Sequence, residues 1–253
     1  MTQLAVLLGH GIGYSASPAM HNAAFAALEM DGRYELRDVP IADLAMEVDA
    51  LREPDAIGAN VTQPFKIEVC RLVDELAPEV QRLGAANTIV RVGHRLVAYN
   101  TDLPALAAEL PPTIRRAVVL GAGGAARAVL AALASAGCSQ TLVIDRAHWH
   151  NLPGALVTAD LLINATPIGT DSDETPVPPD LLRQDLNVLD LVYRPTPTRL
   201  VREARKVGAS ARGGAGVLLR QAASSFQLWT GRRAPIEVMR EALDRELGAS
   251  TSA

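Results

Sequence analysis

The sequence predicts an α/β protein with mainly parallel sheets, divided into two domains. Apolar runs of strand character alternate with segments of helical period along the whole chain. Two prolines in "ELPPTIRR", Pro111 and Pro112, interrupt that alternation as a linker does. Beyond them, "AVVLGAGGAARAVLAALASAGCSQTLVID" (117–145) reads as strand, glycine turn, helix and second strand.

Each element has a local reason. "LAVLLG" (4–9) is an apolar run closed by glycine. "SPAMHNAAFAALEM" (17–30) is a helix, with Ser17 at the N-cap and Pro18 in the first turn. "RYELRDV" and "DAIGANV" read as strands, "IADLAMEVDALR" and "KIEVCRLVDELA" as helices. "AANTIVRVGHRLVAYNTD" reads as a hairpin turning at Gly93-His94. After the linker, further strands are expected at "ADLLINA" and "NVLDLVY", and helices at "TRLVREARKVG", "AGVLLRQAASSFQLWTG" and "APIEVMREALDREL". The last strand of the second domain ends near Arg212. We therefore expect residues 1–103 with 215–253 to form one domain and residues 104–214 the other, with the C-terminal helices returning to the first.

Composition narrows the partners. The 253 residues are 49% hydrophobic, enough for a substantial core, and with 2 Trp, 4 Tyr and 3 Phe that core is built mostly of Ala and Leu. The net charge of −4 comes with no basic run, so neither nucleic acid nor a membrane surface is expected as a partner, and a small molecule is. The N-terminus has no basic leader, and its apolar run is too short to span a bilayer, which makes the cytosol the expected compartment. Cys70 and Cys138 lie outside any CxxC pair and away from a His at ligand spacing, so no metal is expected.

The glycine turn points to a dinucleotide. "GAGGAA" fits G-x-G-x-x-A with Gly121, Gly123 and Ala126 in the key positions, which makes the second domain Rossmann-like. Gly121 permits the tight turn, Gly123 lets a pyrophosphate approach, and the helix start near Gly124 and Ala125 offers N–H groups to phosphate. Asp145 closes the second strand, where a carboxylate accepts from a ribose 2′-hydroxyl and repels a 2′-phosphate. Arg146 beside it does the opposite, and Asp145 also has the alternative of capping a turn.

Five other stretches place small polar groups at element boundaries: "GYSASPAMHN", "NVTQPFK", "GAANTIVR", "YNTD" and "LLRQAASSFQLW". Taken singly each has a plain reading. Ser15 and Ser17 suit a cap, Asn87 and Asn100 a turn, Asp102 a helix start, Gln221 a solvated helix face, and Lys66 a surface lysine. Taken together and in order with "GAGGAARAV", "NATPIGT" and "DLVYRPTPT", they resemble the shikimate dehydrogenase family over nearly the whole chain. The resemblance implies NADP(H)-linked reduction of 3-dehydroshikimate to shikimate, on the route to chorismate and the aromatic amino acids. It implies Lys66 and Asp102 as the catalytic pair, and Ser15, Ser17, Asn60, Thr62, Asn87, Tyr193 and Gln221 as substrate ligands. Thr166 in "NATPIGT" and Gly214 in "GGAG" would line the nicotinamide side. The chemistry fits these roles: reducing a ring ketone needs a proton donor at the oxygen, which a lysine supplies, and a carboxylate to orient it.

The chain also departs from the family pattern. Tyr14 replaces the usual His before the first serine, and Asp145-Arg146-Ala147 stands after the second nucleotide strand where NADP-dependent members usually carry Asn-Arg-Thr and a later Arg to grip the 2′-phosphate. Only 19 positions separate Asp145 from Asn164. A complete member has about twice that, enough for a helix, a strand and another helix, so an edge unit is expected to be shortened. NAD(H) therefore stays open because of Asp145. So do a paralogue acting on quinate or a related ring acid, and a catalytically silent metabolite-binding module. Monomer and homodimer are both compatible with the sequence.

Overall fold

The computed structural model describes residues 2–248. The chain falls into two compact units. One runs to Asp102 and resumes at Leu219; the other is Leu103–Leu218.

The first unit contains β1 (Gln3–Gly9), α1 (Ser17–Ala27), β2 (Gly32–Asp38), α2 (Leu44–Asp49), β3 (Ala56–Val61), β4 (Glu75–Leu76), α3 (Pro78–Leu83), β5 (Thr88–Val92) and β6 (Arg95–Tyr99). Its sheet runs β2-β1-β3-β5-β6-β4. β1 pairs in parallel with β2 and β3, whereas β3–β5 and β5–β6 are antiparallel. Three of the five strand pairings in this sheet are parallel, β4–β6 among them, and the antiparallel β5–β6 pair is the hairpin expected from the sequence, so the expectation of mainly parallel sheets holds. A two-residue turn at Gly93-His94 can join only antiparallel strands, and Gly93 supplies the positive φ of 65° that the turn needs. The pairs Leu8↔Val61, Asn60↔Thr88 and Thr88↔Tyr99 bring the C-terminal ends of β1, β3 and β6 and the start of β5 to one edge of the sheet.

Two expected helices change. Residues 41–52 form α2 flanked by two 3₁₀ turns. The helix expected over "KIEVCRLVDELA" is a 3₁₀ turn, Glu68–Arg71, followed by β4. Asp74 is the physical cause: its backbone N–H donates to Leu96 O, and its carboxylate accepts from Leu96 N at 2.7 Å and from Arg52. These bonds pull the chain out of its helical period and onto β6. α3 follows with Pro78 in its first turn and stops at Gly84, whose φ is 63°. The unit's core holds Val6, Leu8, Phe65, Ile89 and Leu96. Each such side chain contributes roughly 1.5–3 kcal/mol on burial.

The second unit opens within α4 (Asp102–Ala107) and contains β7 (Arg116–Leu120), α5 (Gly124–Ser135), β8 (Gln140–Ile144), α6 (Leu152–Leu156), β9 (Leu161–Asn164), β10 (Asn187–Asp190), α7 (Arg199–Lys206) and β11 (Ala211–Arg212). All pairs in its sheet, β11-β10-β9-β7-β8, are parallel. Along β7 the side chains alternate between two apolar clusters, Val118 and Leu120 in one and Ala117 and Val119 in the other. The sheet is therefore covered on both faces. From Ile144 to Leu161 the chain forms only a 3₁₀ segment, Arg146–Asn151, and the short α6, and β8 stands at the sheet edge.

α8 (Ala215–Thr230) and α9 (Ile236–Glu246) are the last elements among the described residues. The passage back to the first unit falls inside α8, between Leu218 and Leu219, rather than ahead of the helix. There α9 packs on α1, and Phe226 of α8 meets Phe25 with ring centres 5.1 Å apart.

Candidate functional site

The shared sheet edge of the first unit gathers most of the polar residues singled out in the sequence. Lys66 follows the turn after β3, and its Nζ donates to Asp102 Oδ2 at 2.7 Å. Both side chains are largely covered, at 18% and 14% exposure, so this pair is screened less than a surface ion pair. The second carboxylate oxygen of Asp102 accepts from Asn87 Nδ2 at 2.8 Å. Asn87 is itself held: its Oδ1 accepts from Thr101 N at 2.8 Å, and its Nδ2 also faces Gln221 Oε1 at 3.4 Å. Gln221 is buried, so its place on α8 is an inward face and not a solvated one. Asp102 does begin a helix, yet both its oxygens are committed to Lys66 and Asn87.

Asn60, near the end of β3, is buried and hydrogen-bonded through both polar atoms of its side chain. Its Oδ1 accepts from Tyr34 Oη at 2.9 Å, and its Nδ2 donates to Ser225 Oγ at 2.9 Å and to Asn87 O at 3.2 Å. Thr88, Thr101 and Ser225 form a hydroxyl cluster linking Asn60 to Asn87. These three hydroxyls and Tyr34 escaped the sequence reading. The only signal was their place inside "NTI", "NTD" and "SSF" for the hydroxyls, and "RYEL" for the tyrosine. Asn100 has a structural use, donating to Ala85 O. Beneath the network, His21 is fully buried and stacks on Tyr34 at 4.3 Å. Burial lowers its pKa to about 3, opposed by the Asn60 side chain.

Ser15 and Ser17 sit in the loop and first turn after β1, and the end of β1 lies beside Thr62, the residue just past β3. Thr62 N donates to Leu8 O. The N-cap of α1 is Ala16, not Ser17, and Ser17 lies buried one residue inside. The hydroxyl that accepts a backbone N–H here is that of Ser15, from Ser17 N at 3.3 Å. A serine two residues ahead of the amide reproduces a cap's geometry as an ST-turn. Tyr193, by contrast, belongs to the second unit, after β10.

In the second unit, Gly121 has a φ of 101°, and an added Cβ would lie 3.0 Å from Ala165 O. Gly123 is the N-cap of α5, with no capping side chain and open space where a Cβ would stand. The first-turn N–H groups at Gly124 and Ala125 therefore keep the unpaired donors of a helix start, and room for an anion to reach them. This end fits a dinucleotide pyrophosphate. Thr166 is pinned by Asn164, whose Oδ1 accepts from Thr166 Oγ1 at 2.7 Å and from Thr166 N at 3.1 Å. At Gly214 a Cβ would fall 2.2 Å from Leu191 O, so glycine is required there by packing alone.

At the end of β8, Asp145 caps the 3₁₀ segment. Its Oδ1 accepts from His148 N at 3.0 Å and lies 2.7 Å from His148 Nδ1. That His148 contact is the main reason its carboxyl titrates below the ordinary range. The turn-capping alternative for Asp145 is thus realised, and Arg146 is the exposed charge beside it. Among the described residues no cluster of three or more His, Cys, Asp or Glu is placed to hold a metal, and no helix is long and apolar enough to cross a membrane.

A glycine-turn α/β unit, joined in one chain to a unit carrying a covered Lys–Asp pair in a polar network, is the make-up of a dinucleotide-linked oxidoreductase. The comparisons specify which. Residues 7–89 match the shikimate dehydrogenase substrate binding domain, and residues 214–243 match the shikimate 5'-dehydrogenase C-terminal domain. A shikimate dehydrogenase (NADP(+)) from Moorella thermoacetica is 40% identical over 99% of this chain and 95% of its own. The crystal structure of shikimate 5-dehydrogenase from Thermus thermophilus in complex with NADP(H) and shikimate superposes with a TM-score of 0.88. It is 36% identical and covers 97% of this chain and 100% of its own. Quinate dehydrogenase from Corynebacterium glutamicum in complex with NAD is 27% identical with a TM-score of 0.84, covering 95% of this chain and 98% of its own. The chain belongs to the shikimate dehydrogenase family.

Proposed function

We propose that this protein catalyses the reversible NADP(H)-linked reduction of 3-dehydroshikimate to shikimate, in the cytosol, as a monomer or homodimer with small molecules as its partners. The observation that carries the reading is the covered Lys66–Asp102 contact of 2.7 Å, braced by Asn87. The first unit binds the substrate and the second the nucleotide. Lys66 spends one of its three N–H donors on Asp102 and keeps the others for the substrate carbonyl oxygen. As that carbon is reduced, the ammonium stabilises the growing negative charge and delivers the proton; in the reverse direction the neutral amine takes it back. Asp102 fixes the direction of the lysine and accepts from a neighbouring ring hydroxyl. Ser15, Ser17 and Tyr193 donate to the substrate carboxylate. Asn60, Thr62, Asn87 and Gln221 define the hydroxyl-binding wall.

NADP(H) supplies the hydride when bound. Gly121, Gly123, Gly124 and Ala125 would hold its pyrophosphate, Thr166 and Gly214 would line its nicotinamide side, and Arg146 would pair with the 2′-phosphate. Asp145 favours a second reading, NAD with quinate or a related acid, which the likeness to the Corynebacterium enzyme also supports. Its engagement by His148, together with the NADP(+)-named relatives, favours the first. A silent binding module has no use for the Lys66–Asp102 pair. The test is absorbance at 340 nm with purified protein, comparing shikimate and quinate with NADP+ and NAD+. Shikimate with NADP+ should give the highest kcat/KM, and no turnover with any pair overturns the proposal.

A further inference from the structure

One buried carboxyl has no part in the chemistry of Lys66 and Asp102. Asp190, the last residue of β10, is 1% exposed, and burial raises its pKa against three hydrogen bonds. Its two oxygens divide the work. Oδ1 accepts from Asn164 Nδ2 at 2.9 Å and from Val192 N at 3.0 Å. Oδ2 accepts from the Thr198 hydroxyl at 2.7 Å, and that hydroxyl in turn caps α7. Asn164 holds Thr166 through its own Oδ1. Val192 immediately precedes Tyr193, and its carbonyl accepts from Gly214 N at 3.2 Å.

One oxygen thus ties together the Thr166 loop and the segment that carries Tyr193 and receives Gly214. We propose that Asp190 is a positioning residue that sets the nicotinamide-facing loop and the substrate-facing Tyr193 segment against each other, so that NADP(H) and shikimate recognition depend on the same buried atom. The inference rests on the roles proposed above for Thr166, Gly214 and Tyr193. A carboxylate suits the task because its Oδ1 accepts two N–H donors at once while its Oδ2 serves the cap. Asparagine preserves most of this. Its oxygen can serve the two donors, while its amide turns to Thr198, whose hydroxyl can accept. Alanine preserves none of it.

The experiment is equilibrium binding, with NADP+ and shikimate each titrated by calorimetry into wild type, Asp190→Asn, Asp190→Ala and Thr198→Val. Asp190→Ala should raise both dissociation constants at least tenfold, and Asp190→Asn should stay within threefold. Thr198→Val should lower Tm with both constants within threefold. If Asp190→Ala does not fold, Asn164→Ala, which cuts the Oδ1 bond on the loop side only, should weaken NADP+ at least tenfold and shikimate at least threefold. Loss of only one ligand in Asp190→Ala, no loss of either, or unchanged shikimate binding in Asn164→Ala overturns the inference. Wild-type protein that binds neither ligand would instead refute the functional reading itself, which separates the two failures.

Discussion

The two units prepare for their ligands by opposite means. The edge of the first is crowded with side chains whose donors and acceptors are already paired: Asn60 with Tyr34 and Ser225, Asn87 with Thr101 and Asp102, Asp102 with Lys66. The glycine end of the second works by omission, with no capping group on α5, no Cβ at Gly123 and none tolerated at Gly214. Recognition of a small polyhydroxylated ring needs fixed polar groups, because each unpaired one costs about 1–3 kcal/mol. Recognition of a pyrophosphate needs backbone N–H groups and room. Errors should therefore differ in kind: a lost hydrogen bond in one unit, an added atom in the other.

The largest effect should come from Gly214→Ala. Its Cβ would meet a backbone carbonyl at 2.2 Å, so main chain must move. Overpacking of this sort costs about 3 kcal/mol or more, read as a drop in Tm of roughly 10 °C. A variant as stable as wild type would show that the segment yields freely.

Acid should expose the first unit's weakness next. His21 binds a proton near 6.5 when unfolded and near 3 when folded. Between those values the unfolded chain holds the extra proton, so stability is full above 6.5 and falls as the pH drops. Over the first two pH units below 6.5 the loss from this residue is about 2–3 kcal/mol. Urea unfolding at both ends of that range should show the loss in wild type and a smaller one in His21→Phe, which keeps the stack on Tyr34. Equal losses would clear His21 of the effect.

Gly123→Ala should act most locally. The added methyl enters open space, so Tm should hold while NADP+ binding weakens about tenfold, some 1.4 kcal/mol. Unchanged affinity would separate the glycine turn from the nucleotide.

Much of this contrast was legible in the residues themselves. The glycine turn and the Gly93-His94 hairpin announce themselves because their cause is local: a positive φ that glycine adopts freely. The Lys66–Asp102 pair was legible only through the family resemblance. Misreadings arose where distant partners decide. "KIEVCRLVDELA" has helical period, yet Asp74 answers to Leu96, 22 positions on. Ser225 meets Thr88 across 137 positions, and nothing in "SSF" marks which serine faces inward. Asp145 stands directly after its strand, as its sequence position suggests, but its partner His148 was not foreseen, because a single turn of 3₁₀ geometry was needed to bring it back.

The pair at the sheet edge is best tested by separating binding from turnover in Lys66→Ala. Steady-state kcat for shikimate oxidation and the shikimate dissociation constant would be measured on the same preparation. If Lys66 moves the proton, kcat falls by about 10²–10⁴-fold while the dissociation constant changes only a few-fold. If kcat survives within tenfold, or binding and turnover fall together, Lys66 is a ligand or a scaffold and the account of the chemistry is wrong.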